Sequence, residues 1–255
     1  MEKTCFGQHQ PLQQLTMTLS IANLAQSPLY KPAPRACSLQ ECIRLILLIA
    51  TGLTIQDVLE ITPKFFKMHR DCLAALDGGA FTLLTIQCSL FVGTVAPLAI
   101  NRLELQSILK SAMDFDISAQ FMLTEVDHGL DARNIQTTAT ILSNGDIDLH
   151  TPSPNDAKVM PPTTPRGGTP VVAVVMARLI NEEKDRGIRP FLVQIGDGKE
   201  MCKGVIEKAL LARTGAHPVD HTLTYFNHVR LPGSALLDNL NQRKYEHDAF
   251  LSTIH

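Results

Sequence analysis

Near residue 117 the spacing of apolar residues changes, and that change limits the fold more than any other feature of the chain. From about residue 38 to 116 apolar side chains recur at helical intervals; from about 118 to 232 they alternate or gather in short β-branched runs. The two patterns are segregated along the chain. They therefore predict an α+β architecture: an N-terminal helical bundle followed by an antiparallel β-barrel or sandwich.

Local signals place the elements. Ser38 and Glu41 form a capping box ahead of "CIRLILLIA", and Gly52 is a C-terminal stop. Thr62-Pro63 opens a second helix, with Phe65, Phe66, His69, Cys72, Leu73 and Leu76 at helical spacing. Asn101 and Glu104 are candidate caps for a helix carrying Leu105, Ile108, Leu109, Ala112 and Met113 on one face. The uncharged stretch from Gly78 to Ile100 is long enough to span a bilayer. Its Thr82, Thr85, Gln87, Ser89, Thr94 and Pro97 favour a helix buried inside a bundle, so no membrane partner is expected.

In the second half, "TTATILSNGDIDLHT" reads as two strands around Asn144-Gly145, a dipeptide suited to a tight hairpin. "PVVAVVMARLI" suits a buried strand, and "IRPFLVQI" follows after the charged turn "NEEKDRG". The segment "TPSPNDAKVMPPTTPRGGTP" is too rich in proline and glycine for helix or central strand, and a loop of that length is usually functional or mobile. The boundaries that follow are an extension (1–37), a helical domain (38–117), a β-domain (118–236) and the opening of a further helical segment (237–255).

Charge narrows the partners. With 23 basic against 25 acidic residues the chain lacks the clustered cations that bind phosphate backbones, so nucleic acid is not expected. Cys5, Cys37, Cys42, Cys72, Cys88 and Cys202 lack zinc-site spacing and read as reduced thiols, which with the poor secretory signal predicts an intracellular protein. The C-terminal Ser-Thr-Ile-His is not a peroxisomal tripeptide of the Ser-Lys-Leu kind.

Two polar stretches stand out as candidate sites. "FMLTEVDHGLD", residues 121–131, is either a polar turn after a strand or a functional loop, with His128 a candidate proton donor and Gly129 a point of close approach or positive φ. "HPVDH" puts His217, Asp220 and His221 within five residues; a metal centre needs further convergent ligands, so no metal is expected, while Asp220 and His221 remain acid/base candidates. Gly167-Gly168 and "GDGKE" complete neither a P-loop nor a dinucleotide fingerprint.

Four stretches in order, "LTEVDHG", "IQTTATI", "VVAVVMARLI" and "FNHVRLPGSALL", resemble the acyl-CoA dehydrogenase and acyl-CoA oxidase superfamily, most of all fungal acyl-CoA oxidases, over about residues 38 to 250. The resemblance implies FAD as cofactor, an acyl thioester or polyketide-type substrate, and assembly with itself or a larger homologue. It places Thr124 at the polar edge of the flavin ring, with Glu125, Gly129 and Lys158 as further cofactor contacts. A cytoplasmic or peroxisomal location follows from the same family.

Departures qualify what is implied. Asp127 and Leu130 replace small or polar residues of the oxidase pattern. Lys158 precedes Val159-Met160-Pro161-Pro162 where oxidases have a Trp-Trp-Ile-Gly-Gly segment, and proline has no amide hydrogen to donate. The sequence is expected to stop where the family's second helical domain, with its catalytic glutamate, begins. Three functions follow: an acyl-CoA oxidase- or dehydrogenase-like flavoprotein, a redox-neutral isomerase, lyase or cyclase of specialised metabolism on the shortened fold, or an inactive partner of a full-length paralogue.

Overall fold

The computed structural model describes residues 52–70, 78–100, 102–129, 131–165, 168–210 and 219–238. The Ser38–Glu41 cap, the extension at 1–37, Asn101, Leu130, Gly167, His217 and the segment beyond 238 lie outside these residues, as do Cys5, Cys37, Cys42 and Cys72.

Helix α1 (Ile55–Leu59) starts at a reciprocal cap: Asp57 N–H donates to Thr54 Oγ1 at 3.2 Å and Thr54 N–H donates to the Asp57 carboxylate at 2.9 Å. Helix α2 (Pro63–His69) begins at Thr62-Pro63, as its sequence predicts. Helix α3 (Gly78–Ala99) is continuous but widens to a π-helical turn over Ile86–Val92. Helix α4 (Leu103–Met113) buries Leu105, Leu109 and Ala112.

By length and composition α3 passes for a membrane span. Its side chains say how it is used. Cys88, Phe91, Val92 and Val95 are wholly buried, and the buried Gln87 donates through Nε2 to Ala112 O (2.6 Å) and Ile117 O (3.2 Å) while Oε1 accepts from Ala119 N (3.0 Å). One glutamine thus bolts α3 to the end of α4 and the first strand. The π turn carries it at the position these bonds require.

The main sheet is organised by β5 (Val171–Asn181) and β6 (Lys184–Gly196), an antiparallel pair. On its other edge β5 holds two strands end to end: β1 (Ser118–Met122) beside Val171–Val175, and β2 (Thr138–Ile141) beside Arg178–Ile180. Strand β3 (Ile147–His150) pairs with β2, and β9 (Val229–Leu231) with β3. A second sheet runs β4 (Lys158–Val159), β8 (Thr222–Phe226), β7 (Val205–Ala209). Along β5, Val174 and Met176 pack toward the helices, whereas Val171, Ala173, Val175, Ala177 and Leu179 enter a second core with Phe191, Val193, Ile195 and Phe226. Both faces of β5 are covered, which is why its sequence is an unbroken apolar run.

The α+β class holds, with one correction: the β-domain is mixed, because β1 and β2 both run parallel to β5. Periodicity reports which residues face a core, not strand direction. The turn "NEEKDRG" is also shorter than its charge suggests. Asn181 pairs with Lys184, leaving only Glu182 and Glu183 in the turn at φ 51° and 60°, and β6 begins inside the charged run. The Asn144-Gly145 hairpin forms where expected; Leu142 N–H donates to Asp146 O at 2.8 Å, and Gly145 alone takes a positive φ, 86°.

Candidate functional site

Strand β1 leaves β5 at Val175 and β2 rejoins it at Arg178, so residues 123–137 make a long excursion across a short gap. The gap is closed by Arg178. Its backbone N–H donates to Thr137 O (2.8 Å), and its guanidinium donates to Ile135 O (3.0 and 3.2 Å) and Arg133 O (3.3 Å) while pairing with Asp185 at 2.5 Å. At its outer end the excursion crosses to the second sheet, where Glu125 bridges Lys158 in antiparallel fashion.

That bridge is also a charge pair with no solvent exposure on either side chain. Lys158 Nζ donates to Glu125 Oε1 at 2.9 Å and to Leu123 O at 3.0 Å. Glu125 also accepts from Gln136 N (2.7 Å) and Thr137 N (3.0 Å), so a single carboxylate ties the outgoing arm, the returning arm and β4 together. Burial pushes the Glu125 acid up, but the Lys158 charge and the Gln136 and Thr137 donors outweigh it and hold it below its ordinary value. Burial lowers Lys158 to about 8, with Glu125 opposing the shift. Near neutral pH both are charged, and the pair survives burial because its hydrogen bonds are filled. The resemblance implies that both residues touch a cofactor; their side chains have no solvent exposure and fix the loop.

Alternation across this bridge turns Thr124 and Val126 to the opposite side from the buried pair. Val126 and the nearby Met160 are 44% and 47% exposed, and the half-buried Thr124 hydroxyl makes no hydrogen bond among the described residues. A ledge results, apolar with one free hydroxyl. Its second wall, the Met160–Thr163 segment, is fastened to β8 by hydroxyls: Thr222 donates to Pro161 O at 2.6 Å, so Thr163 donates to Thr222 at 2.7 Å and Thr224 to Thr163 at 2.8 Å. Met160 sits at φ 85°, with its N–H given to Thr222 O, and the Val159 N–H goes to Thr124 O.

The other expected site residues are spread out. His128 is half-buried in the loop, its N–H donating to Glu125 O at 3.1 Å, and its ring lies beside Glu125 and the buried Asp156. Gly129 has no positive φ and a Cβ there would meet nothing within 4 Å, so neither backbone strain nor crowding by the chain requires glycine. His221 donates from Nδ1 to Met160 O at 2.7 Å and so braces the ledge; Asp220 beside it is exposed. Three contributors escaped sequence reading: Asp156, the Thr163–Thr222–Thr224 chain, and the Gln136–Thr137 amides. Each acts across the fold, and only the neighbourhood of Asp156 to Lys158 in "DAK" carried a trace.

Helices packed on one face of a curled mixed sheet, with this loop between β1 and β2, are the fold of the acyl-CoA oxidases. An acyl-CoA oxidase1 of Yarrowia lipolytica superposes with a TM-score of 0.64 at 23% identity, covering 89% of this chain and 33% of that one. The Caenorhabditis elegans acyl-CoA oxidase-1 in complex with FAD and ATP gives 0.56 at 22%, covering 89% and 35%. Among sequence relatives, a mouse acyl-coenzyme A oxidase-like protein is 33% identical over 123 residues, 48% of this chain and 19% of that protein. The C. elegans acyl-coenzyme A oxidase acox-3 is 29% identical over 176 residues, 68% and 26%. No family model matches the chain. The relatives found by sequence and the neighbours found by fold are acyl-CoA oxidases and an acyl-CoA oxidase-like protein, and the matches span about a fifth to a quarter of those two sequence relatives' own length (19% and 26%).

Proposed function

We propose that this chain is an acyl-CoA oxidase-like protein that takes an acyl thioester or polyketide-type intermediate, with FAD, against the Thr124–Val126–Met160 ledge. The observation that carries the reading is the Thr124 hydroxyl, without a partner among the described residues, at a strand end that a buried ion pair fixes. Such a preorganised donor suits the edge of a ring that gathers negative charge. Bound flavin would supply hydride-accepting chemistry. The chain's own part is to offer Thr124 to the polar edge and Val126 and Met160 to the ring or acyl surface. Names of relatives include peroxisomal enzymes, which supports a peroxisomal or cytoplasmic location.

The fit is partial. Val159 and Met160 have spent their amide hydrogens within the protein, and Pro161 and Pro162 have none, so this segment offers no backbone donors to a flavin. That observation favours a second reading, a redox-neutral isomerase, lyase or cyclase using the same ledge. Reconstitution with FAD separates the two. Retained flavin with an absorption change on adding acyl-CoA supports the first; acyl-CoA turnover by protein that takes up no FAD supports the second; protein that binds neither flavin nor acyl-CoA overturns both.

A further inference from the structure

Away from the ledge, helices α2 and α3 meet at a serine and a histidine. Ser89 Oγ lies 3.0 Å from His69 Nε2, and His69 Nδ1 lies 3.0 Å from Phe65 O. The carbonyl can only accept, so Nδ1 carries the ring proton of the neutral imidazole, Nε2 keeps its lone pair, and the Ser89 hydroxyl donates to it. Other hydroxyls of α3 are used differently: Thr82, Thr85 and Thr94 give theirs to the backbone carbonyls of Gly78, Thr82 and Leu90, at 2.7, 3.0 and 2.6 Å. Ser89 gives its proton to a base instead.

The surrounding frame holds this pair. Ser89 lies in the π-helical turn Ile86–Val92, two residues past Gln87 and so on the opposite side of α3, and the bonds of Gln87 fix that turn against α4 and β1. The imidazole sits between Phe65, whose ring is centred 4.4 Å away, and Phe81, edge-on at 6.4 Å. Ser89 and His69 are both half-buried, and Phe66, edge-on to Phe65 at 6.1 Å, is 52% exposed. Aromatic surface therefore runs from the pair out to solvent.

We propose that Ser89 is a nucleophile activated by His69, and that the pair hydrolyses small apolar carboxylic esters seated against Phe65, Phe66 and Phe81. The parts are a nucleophile, a base within hydrogen-bond reach and a third group that orients the base, here a backbone carbonyl. Ser89 Oγ bonds to the ester carbonyl carbon as its proton passes to His69 Nε2. The tetrahedral adduct collapses, the bond to the leaving alcohol breaks, and the imidazolium gives its proton to that oxygen. Water, deprotonated by the same nitrogen, then attacks the acyl-serine and releases the carboxylic acid. No electrons leave the substrate, so the activity is independent of flavin and of the ledge. Phe65 O supports the imidazolium through the Nδ1–H bond, less strongly than a carboxylate would, and turnover is accordingly slow.

The test exposes the full chain to a fluorophosphonate, which traps an activated serine covalently, and locates the label by tandem mass spectrometry. Hydrolysis of p-nitrophenyl butyrate is followed in parallel, and thermal melting reports whether each variant is folded. The native protein is labelled at Ser89 and releases p-nitrophenol. Ser89→Ala takes no label at that position and loses the turnover. His69→Gln keeps an acceptor for the Ser89 hydroxyl but has no basic nitrogen, and slows labelling and turnover about a hundredfold, the size of a lost general base. A merely structural contact would leave native Ser89 unlabelled. Native protein without label at Ser89, a folded Ser89→Ala protein that hydrolyses the ester as fast, or a His69→Gln protein with native labelling and turnover overturns the proposal. The first of these outcomes needs no variant, so it decides the matter even where a substitution unfolds the helices.

Discussion

Lys158 carries a full charge into the interior, and the side chains around it determine what its removal does. Lys158→Met leaves Glu125 buried without a cation and is expected to destabilise the protein by about 3–5 kcal/mol in urea unfolding. The double variant Glu125→Gln, Lys158→Met loses less than the sum of the single changes, because the amide still accepts from the Gln136 or Thr137 N–H and no charge is stranded. The acid limb follows from the same pair. The folded Glu125 acid lies below its ordinary 4.5, so the stability it contributes is present above that value and is lost as pH falls below it. Glu125→Gln therefore flattens the decline of stability with acid, measured by urea unfolding from neutral pH downward; an unchanged acid limb would separate Glu125 from that decline.

At the scale of elements, the β5–β6 turn stores strain that sequence alone did not reveal. Glu182 and Glu183 both occupy the left-handed region, each at a cost of about 1–2 kcal/mol. Replacing them with Asn-Gly, which this turn geometry prefers, raises stability by about 1 kcal/mol in urea unfolding. Gln87 works in the opposite sense: Gln87→Leu strands the buried Ala119 N–H and takes a donor from the Ile117 carbonyl, while Ala112 O keeps the Phe115 N–H; it costs about 1–3 kcal/mol and speeds hydrogen exchange in β1 ahead of β6. Helices α2 and α4, the hairpin at Asn144-Gly145 and the buried strand β5 were legible because a proline at N1, turn residues and periodicity are local signals; the expected cap of α4 was not, since its N-cap is Arg102 with no side-chain bond. The parallel placement of β1 and β2 was not, since it depends on how one long strand shares its edge. The resemblance drew attention to Thr124 and His128 as expectations, whereas the nearness of Asp156 to His128 comes only from the fold.

For the molecule as a whole, the helical and β-domains are joined by more than apolar packing. Arg102, at the start of α4, donates to Ser234 O at 2.9 Å and to Leu236 O and Leu237 O at 3.3 Å, while the buried Arg189 pairs with Asp238 at 2.5 Å. These bonds hold residues 234–238 across the end of both units, close to where Leu236 bridges Phe191 of β6. The excursion at 123–137 starts from β1, which Gln87 ties to α3, so the ledge is carried by the same frame. FAD titration of Thr124 variants, followed by flavin fluorescence, tests most directly whether this frame offers the Thr124 hydroxyl, which has no partner among the described residues, to a flavin. Thr124→Ala is expected to weaken FAD binding about tenfold, the worth of one hydrogen bond to a charged edge, with Thr124→Ser near native affinity and all three proteins melting alike. Equal FAD affinity in the native, alanine and serine proteins, or none in any, would contradict it.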